Sequence, residues 1–193
     1  MRGSLKCLGA GLSALLLVVG TAACDDDGDG GSGGSGGSGG DGGGGSSGVS
    51  SASAEIGALE ASGVSGTAMF SLSGAEVTVV VTLMGAPPGE HGLHIHQNGV
   101  CDGDGTSAGD HWNPEMHEHG QPGEEMSHLG DLGNITIGAD GNGSLTYRST
   151  QWTLGDGAAT DVIGHAIILH AAPDDFGQPS GNAGARIGCG VIK

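Results

Sequence analysis

Residues 92–99 read GLHIHQNG, and the alternation within them decides the class of fold. Leu93 and Ile95 are apolar, while His94 and His96 stand at the alternate positions. In a β-strand successive side chains point to opposite faces, so one face is apolar and the other offers two imidazoles that can meet one metal ion. Outward from this segment the same chemistry repeats. AEIGALEA (54–61), GTAMFSLSG (66–74) and AEVTVVVTLMG (75–85) precede it, with the turn GAPPGEHG (85–92) leading in. NITI (134–137), GSLTYRS (143–149), HAIILH (165–170) and ARIGCGVI (185–192) follow. Each run is rich in apolar or β-branched residues and is bounded by Gly, Ser, Asn or Pro, which predicts a strand. Eight strands in about 140 residues predict an all-β sandwich or flattened barrel. From Asn98 to Gly130 no period holds, and loops of that length are uncommon unless they are functional.

Composition narrows the partners. The chain has 193 residues, five Lys plus Arg and 22 Asp plus Glu, for a formal net charge of -17. Such a balance argues against nucleic acid and against an anionic membrane surface, and leaves small or metallic ligands. One core is expected at this length. Residues 1–23 begin with Arg2 and Lys6 and continue through an apolar run from Leu8 to Val19, the pattern of an export signal rather than a membrane span. The signal ends in TAAC (21–24), which looks like a bacterial lipobox, so Cys24 is the expected lipidation site and mature N-terminus. Residues 28–48 hold 14 Gly, five Ser and two Asp. A chain of that composition is flexible coil, and about 30 residues of it reach roughly 30 Å. The expected organisation is a signal over 1–23, a lipid-anchor cysteine and linker over 24–51, and a folded domain over 52–193. Localisation in the cell envelope or periplasm follows as an expectation, with the membrane touched only through the anchor.

The histidines carry the chemistry. His94, His96, His111, His119, His128 and His170, with Asp131, supply more imidazole than one site needs and one carboxylate. Imidazole suits zinc and copper, whereas calcium and magnesium take oxygen. Two ions of the first kind are implied. His117 and His165 are read as an exposed loop residue and a rim residue respectively. Trp112 is read as packing the loop.

GLHIHQNG, TSAGDHWNP (106–114), HLGDLGN (128–134) and GNAGARIGCGVI (181–192) together resemble the copper/zinc superoxide dismutases, with every motif in family order over about residues 54–193. The resemblance implies an eight-stranded Greek-key β-sandwich or flattened barrel with a long metal-binding loop. It implies copper held by His94, His96, His111 and His170, and zinc held by His111, His119, His128 and Asp131, so that His111 bridges the two. Asp174 matches a carboxylate that orients one histidine of each site, and His91 matches a histidine that packs and hydrogen-bonds beneath the site. Cys101 and Cys189 match an intrasubunit disulfide, a bond that persists in an exported protein. Arg186 matches an arginine that attracts and orients the anion. The implied reaction is disproportionation of superoxide to dioxygen and hydrogen peroxide, with Arg186 and His111 as catalytic residues and His111 as proton carrier. The alternative is a non-catalytic copper/zinc-binding lipoprotein of the same fold. Both a monomer and a homodimer are compatible with these motifs. The segment DFGQPS (175–180) is short and holds no Lys, so any steering of the anion must come from elsewhere.

Overall fold

The computed structural model describes residues 49–193. The export signal, Cys24 and the Gly/Ser-rich stretch through Gly48 lie outside the described residues. Eight strands form the domain: β1 Ser51–Ala58, β2 Ser65–Ser73, β3 Glu76–Met84, β4 Gly89–His96, β5 Asp131–Ile137, β6 Gly143–Ser149, β7 Ala166–His170 and β8 Arg186–Val191. They close into a barrel in the order β1-β2-β3-β6-β5-β4-β7-β8, and every pairing between strands is antiparallel. Closure leaves no open sheet edge, which decides between the sandwich and the barrel expected from the strand pattern.

Each predicted strand is present, with shifted ends. β1 begins three residues before AEIGALEA and ends at Ala58, because Ser51, Ala52 and Ser53 pair with Ser71, Phe70 and Met69 of β2. The turn read over 85–92 is shorter than expected: Gly89, Glu90 and His91 already pair with Ile137, Thr136 and Ile135 of β5. A local motif marks where a turn starts, but the partner strand decides where pairing resumes.

Alternation places the core inside the barrel. Val77, Val79, Val81 and Leu83 of β3 point inward and are buried, as are Ala68 and Phe70 of β2. Leu93 and Ile95 of β4 join the same cluster. β4 and β7 are buried on both faces from Gly92 onward, because loops cover their outer side. A smaller cluster there holds Leu59, Ala108, Ala166, Ile168 and Cys189. The loop of residues 150–164, which the strand pattern left unassigned, also packs on the core through Trp152, Leu154 and Val162. Its turn is organised by the buried Asp161, whose carboxylate accepts from the backbone N–H groups of Gly155, Gly157 and Ile163.

Candidate metal centre

The outer face of β4 is the floor of the site. Beyond His96 the chain returns on itself: Gln97 N–H donates to Asp110 O at 2.9 Å, Trp112 N–H to Ile95 O at 2.8 Å, and His96 faces His111 across an isolated bridge. A one-turn helix at Thr106–Ala108 forms the far end of this excursion. The end of the long loop is sewn to the same place, since Ile95 N–H donates to Gly130 O and Gly130 N–H to Trp112 O. A Cβ on Gly130 would run into Ile95 O and reach Trp112 N at 3.0 Å, so this close approach of three backbones admits only glycine. The register of β4 against β5 shifts between Gly92 and His94, and that of β7 against β8 shifts between Leu169 and His170. Such irregularities re-aim a side chain, and here they aim His94 and His170 at one centre.

Two groups result, each compact enough to hold one ion. His94, His96, His111 and His170 form the first; His111, His119, His128 and Asp131 form the second, and in each the potential ligand atoms lie within 4.8 Å of one another. In the second group a single carboxylate oxygen, Asp131 Oδ1, lies 2.9 Å from His111 Nδ1, 3.0 Å from His119 Nδ1 and 3.3 Å from His128 Nδ1. The other oxygen, Oδ2, is engaged by the N–H groups of Gly120 and His128, both at 3.1 Å. His94 Nδ1 is buried with no hydrogen-bond partner, and His119 Nδ1 and His128 Nδ1, although close to Asp131 Oδ1, are buried without a well-aligned hydrogen bond. Buried imidazole nitrogens left without a well-formed hydrogen bond, one in the first group and two in the second, are what a metal in each group would satisfy.

The second nitrogen of each ring explains which one is left free. His96 Nδ1 is 2.9 Å from Gly109 O and His170 Nδ1 is 3.1 Å from Gly184 O, so their Nε2 atoms, 3.4 Å apart, face the centre. His94 Nε2 and His119 Nε2 reach the two oxygens of Asp174 at 2.8 and 3.0 Å. One carboxylate thereby orients a ring of each group, the arrangement expected of ligands held by hydrogen bonds to their remote nitrogen. Gly181 packs directly against this contact: a Cβ there would overlap the Asp174 carboxylate and come within 2.7 Å of His119 Nε2, and its φ of +74° is left-handed.

Electrostatics divide the two groups. Burial pushes the His111 imidazole down to about 4 although Asp131 opposes it, and burial with the neighbouring His94 takes His170 down to about 3. Burial, then His111, holds His96 well below its ordinary value. These rings are neutral near pH 7 and have lone pairs to offer. Burial lowers His119 too, but Asp131 and Asp174 on its two nitrogens outweigh it and raise it to about 9. Asp131 lies far below the ordinary carboxylate range: burial would raise it, and the surrounding imidazoles overcome that.

Two clamping residues were not legible in the sequence. Asn134 of β5 accepts from Asp174 N–H at 2.7 Å and donates to Asp174 O at 2.8 Å. Gln178, in the short Lys-free segment, accepts from His119 N–H at 3.1 Å and donates to His119 O at 2.6 Å. Asn134 closes the HLGDLGN motif and Gln178 lies between motifs, and a polar residue in either place has many uses. His91 fits its expected place beneath the site, with its ring nitrogens 2.8 Å from His170 O and Pro87 O. Trp112 is fully buried, and His165 stacks on it at 4.6 Å. His117 differs from expectation. Its side chain is 19% exposed rather than free in solvent, because Asn113 clamps its backbone and turns Nδ1 toward Ser127 O.

Arg186, at the start of β8, donates from Nη1 to Gly105 O and from Nη2 to Gly109 O. The loop carrying those carbonyls is tied to β8 by a disulfide between Cys101 and Cys189. Arg186, His96, His111, His128 and His170 all line one pocket of about 800 Å3.

A closed, antiparallel eight-stranded barrel with two histidine groups joined through one imidazole defines a β-barrel protein with a candidate two-metal centre. Residues 64–192 match the family of copper/zinc superoxide dismutases (SODC), and the chain belongs to that family. It is also similar, at 34% identity and a TM-score of 0.67, to the crystal structure of the clock protein EA4, over 74% of this chain and 93% of that one.

Proposed function

We propose that this protein disproportionates superoxide to dioxygen and hydrogen peroxide. The observation that carries the reading is the sharing of His111 by two ion-sized groups that open, beside Arg186, into one pocket. His94, His96, His111 and His170, all imidazole, suit copper; His111, His119, His128 and Asp131 are the three-His, one-carboxylate set of a closed zinc site. Bound copper supplies a one-electron couple, and bound zinc a fixed charge without redox chemistry. The protein supplies the rest. Two superoxide anions and two protons give one dioxygen and one hydrogen peroxide. Arg186, anchored by Gly105 O and Gly109 O, attracts and orients the anion with its remaining N–H donors. His111 has Nδ1 turned to Asp131, which leaves Nε2 on the pocket side to hold a proton and pass it to the reduced substrate.

The test is metal analysis of the purified domain beside a superoxide-consumption assay. One copper and one zinc per chain, with rapid consumption, is the expected result. Metal uptake with no more activity than copper on an unrelated histidine peptide would establish the non-catalytic metal-binding reading instead.

The place of action is also a proposal. Residues 1–23 direct export, Cys24 carries lipid, and 24–51 leash the domain of residues 52–193 to the cell envelope. TAAC and the composition of 28–48 support this, as does a disulfide of the kind kept in oxidising compartments. Cys24→Ser should move the protein from the membrane fraction to the soluble one; unchanged fractionation would sink the anchor.

A further inference from the structure

The pocket mouth holds a charge that the proposed reaction does not call for. Among the residues lining the pocket, Arg186 is the one guanidinium or ammonium and Asp110 the one carboxylate. Asp110 is exposed and immediately precedes His111. Its backbone is fixed, since its carbonyl accepts from Gln97 N–H, yet its side chain makes no hydrogen bond among the described residues. The carboxylate thus holds no loop together. It does act on Arg186: burial weakens the guanidinium's hold on its proton, and the charges of Asp110 and Asp104 strengthen it. Asp104 and Glu60 line a separate, smaller recess of about 230 Å3 that Arg186 shares. The arginine has acidic neighbours in both cavities, and Asp110 is the one carboxylate in the cavity that the candidate metal ligands line.

We propose that Asp110 is a specificity-determining residue that offsets Arg186 at the pocket mouth and holds down the entry of anions. The inference rests on the proposed copper site. A unit charge acting over about 8 Å of mostly aqueous space changes the local concentration of a monovalent anion by a factor of about two to six. Screening shortens that reach from about 30 Å at 0.01 M salt to about 8 Å at 0.15 M, so the effect shrinks as salt is added.

The experiment compares the metal-loaded wild type with Asp110→Asn, Asp110→Lys and the control Asp140→Asn. Asp140 lies in the exposed turn after β5, at the other end of that strand from Asp131 and about 20 Å away by strand rise, so its loss changes net charge equally and leaves the mouth alone. Two quantities are read at low and at moderate salt: the dissociation constant of azide from its visible spectral shift, and the second-order rate with superoxide. Asp110→Asn should tighten azide by about two- to sixfold at low salt and raise the rate in the same sense. Asp110→Lys should go further, and Asp140→Asn should move neither beyond the small change due to net charge. Equal shifts in Asp110→Asn and Asp140→Asn, or no rise through the Asp, Asn, Lys series, overturn the inference and leave the copper site standing. A wild type that takes up copper without any azide response overturns the proposed function and this inference with it.

Discussion

At the scale of single residues the site is a set of shared atoms. His111 belongs to both groups, so His111→Ala should lower copper and zinc content together, whereas His94→Ala should lower copper and leave zinc close to normal. Equal zinc loss in both, by metal analysis, would contradict the assignment. Asp174 touches a ring of each group, so Asp174→Asn should weaken both metals by about 10–100-fold in competition titrations, although it ligates neither. Metal-free protein should also show the histidine shifts in its stability. An unfolded histidine titrates near 6.5. His111 and His170 have folded values of about 4 and about 3, so the unfolded state gains protons first as pH falls below 6.5, and stability drops across that range. His119, raised to about 9, contributes stability that is complete below 6.5 and is lost as pH climbs toward 9. Thermal melts of the stripped domain should therefore peak near pH 6.5, with a fall of several degrees on the acid side. A flat profile from pH 4 to 9 would refute this balance.

At the scale of elements, the site depends on how the long β4–β5 loop is fastened. The Cys101–Cys189 bond spans a sequence separation of 88 and ties that loop to β8. On the chain-entropy model, whose mechanism is disputed, removing such a crosslink costs about 4–5 kcal/mol. Cys101→Ser should show a loss of that order or smaller in denaturant unfolding, and should lower the superoxide rate too, since Gly105 O and Gly109 O in the same loop hold Arg186. An unchanged unfolding midpoint would show that the core beneath the loop, Leu59, Ala108 and Ile168, holds it unaided. At the loop's other end, Gly130→Ala would force Ile95 and Trp112 apart and should cost a few kcal/mol, the range of backbone-strained core variants.

The whole molecule sets the field in which an anion approaches. With a net charge of -17 the chain repels superoxide at long range, and Arg186 attracts it only near the site. Added salt screens both, so the wild-type rate should depend on salt only weakly. Arg186→Ala should lower the rate by about tenfold or more with both metals retained, and its residual rate should rise with salt because only repulsion remains. Arg186→Lys should keep part of the rate, since a point charge replaces some of the field but not the planar fork of donors. A steep fall of the wild-type rate with salt would mean that an attractive surface, such as one completed by a second copy, steers the substrate.

By itself the sequence determined the strands and the set of candidate ligands, for local reasons. Period-two alternation in EVTVVVTLM and GLHIHQ can bury one face only as a strand, and a set of imidazoles larger than one site needs suits zinc or copper. Tertiary structure decided what depends on residues far apart in the chain. Closure of β1 on β8 made the sheet a barrel, and pairing with β2 moved the start of β1 to Ser51. Asn134 and Gln178 became clamps only because folding brought them to Asp174 and His119, separations of 40 and 59 residues. Asp110 looks in sequence like one more solvated acid among 22; its place at the mouth beside Arg186, 76 positions away, is what gives its charge a consequence. Side-chain chemistry and period are properties of neighbours along the chain, whereas hydrogen-bond partners and local fields are properties of neighbours in space.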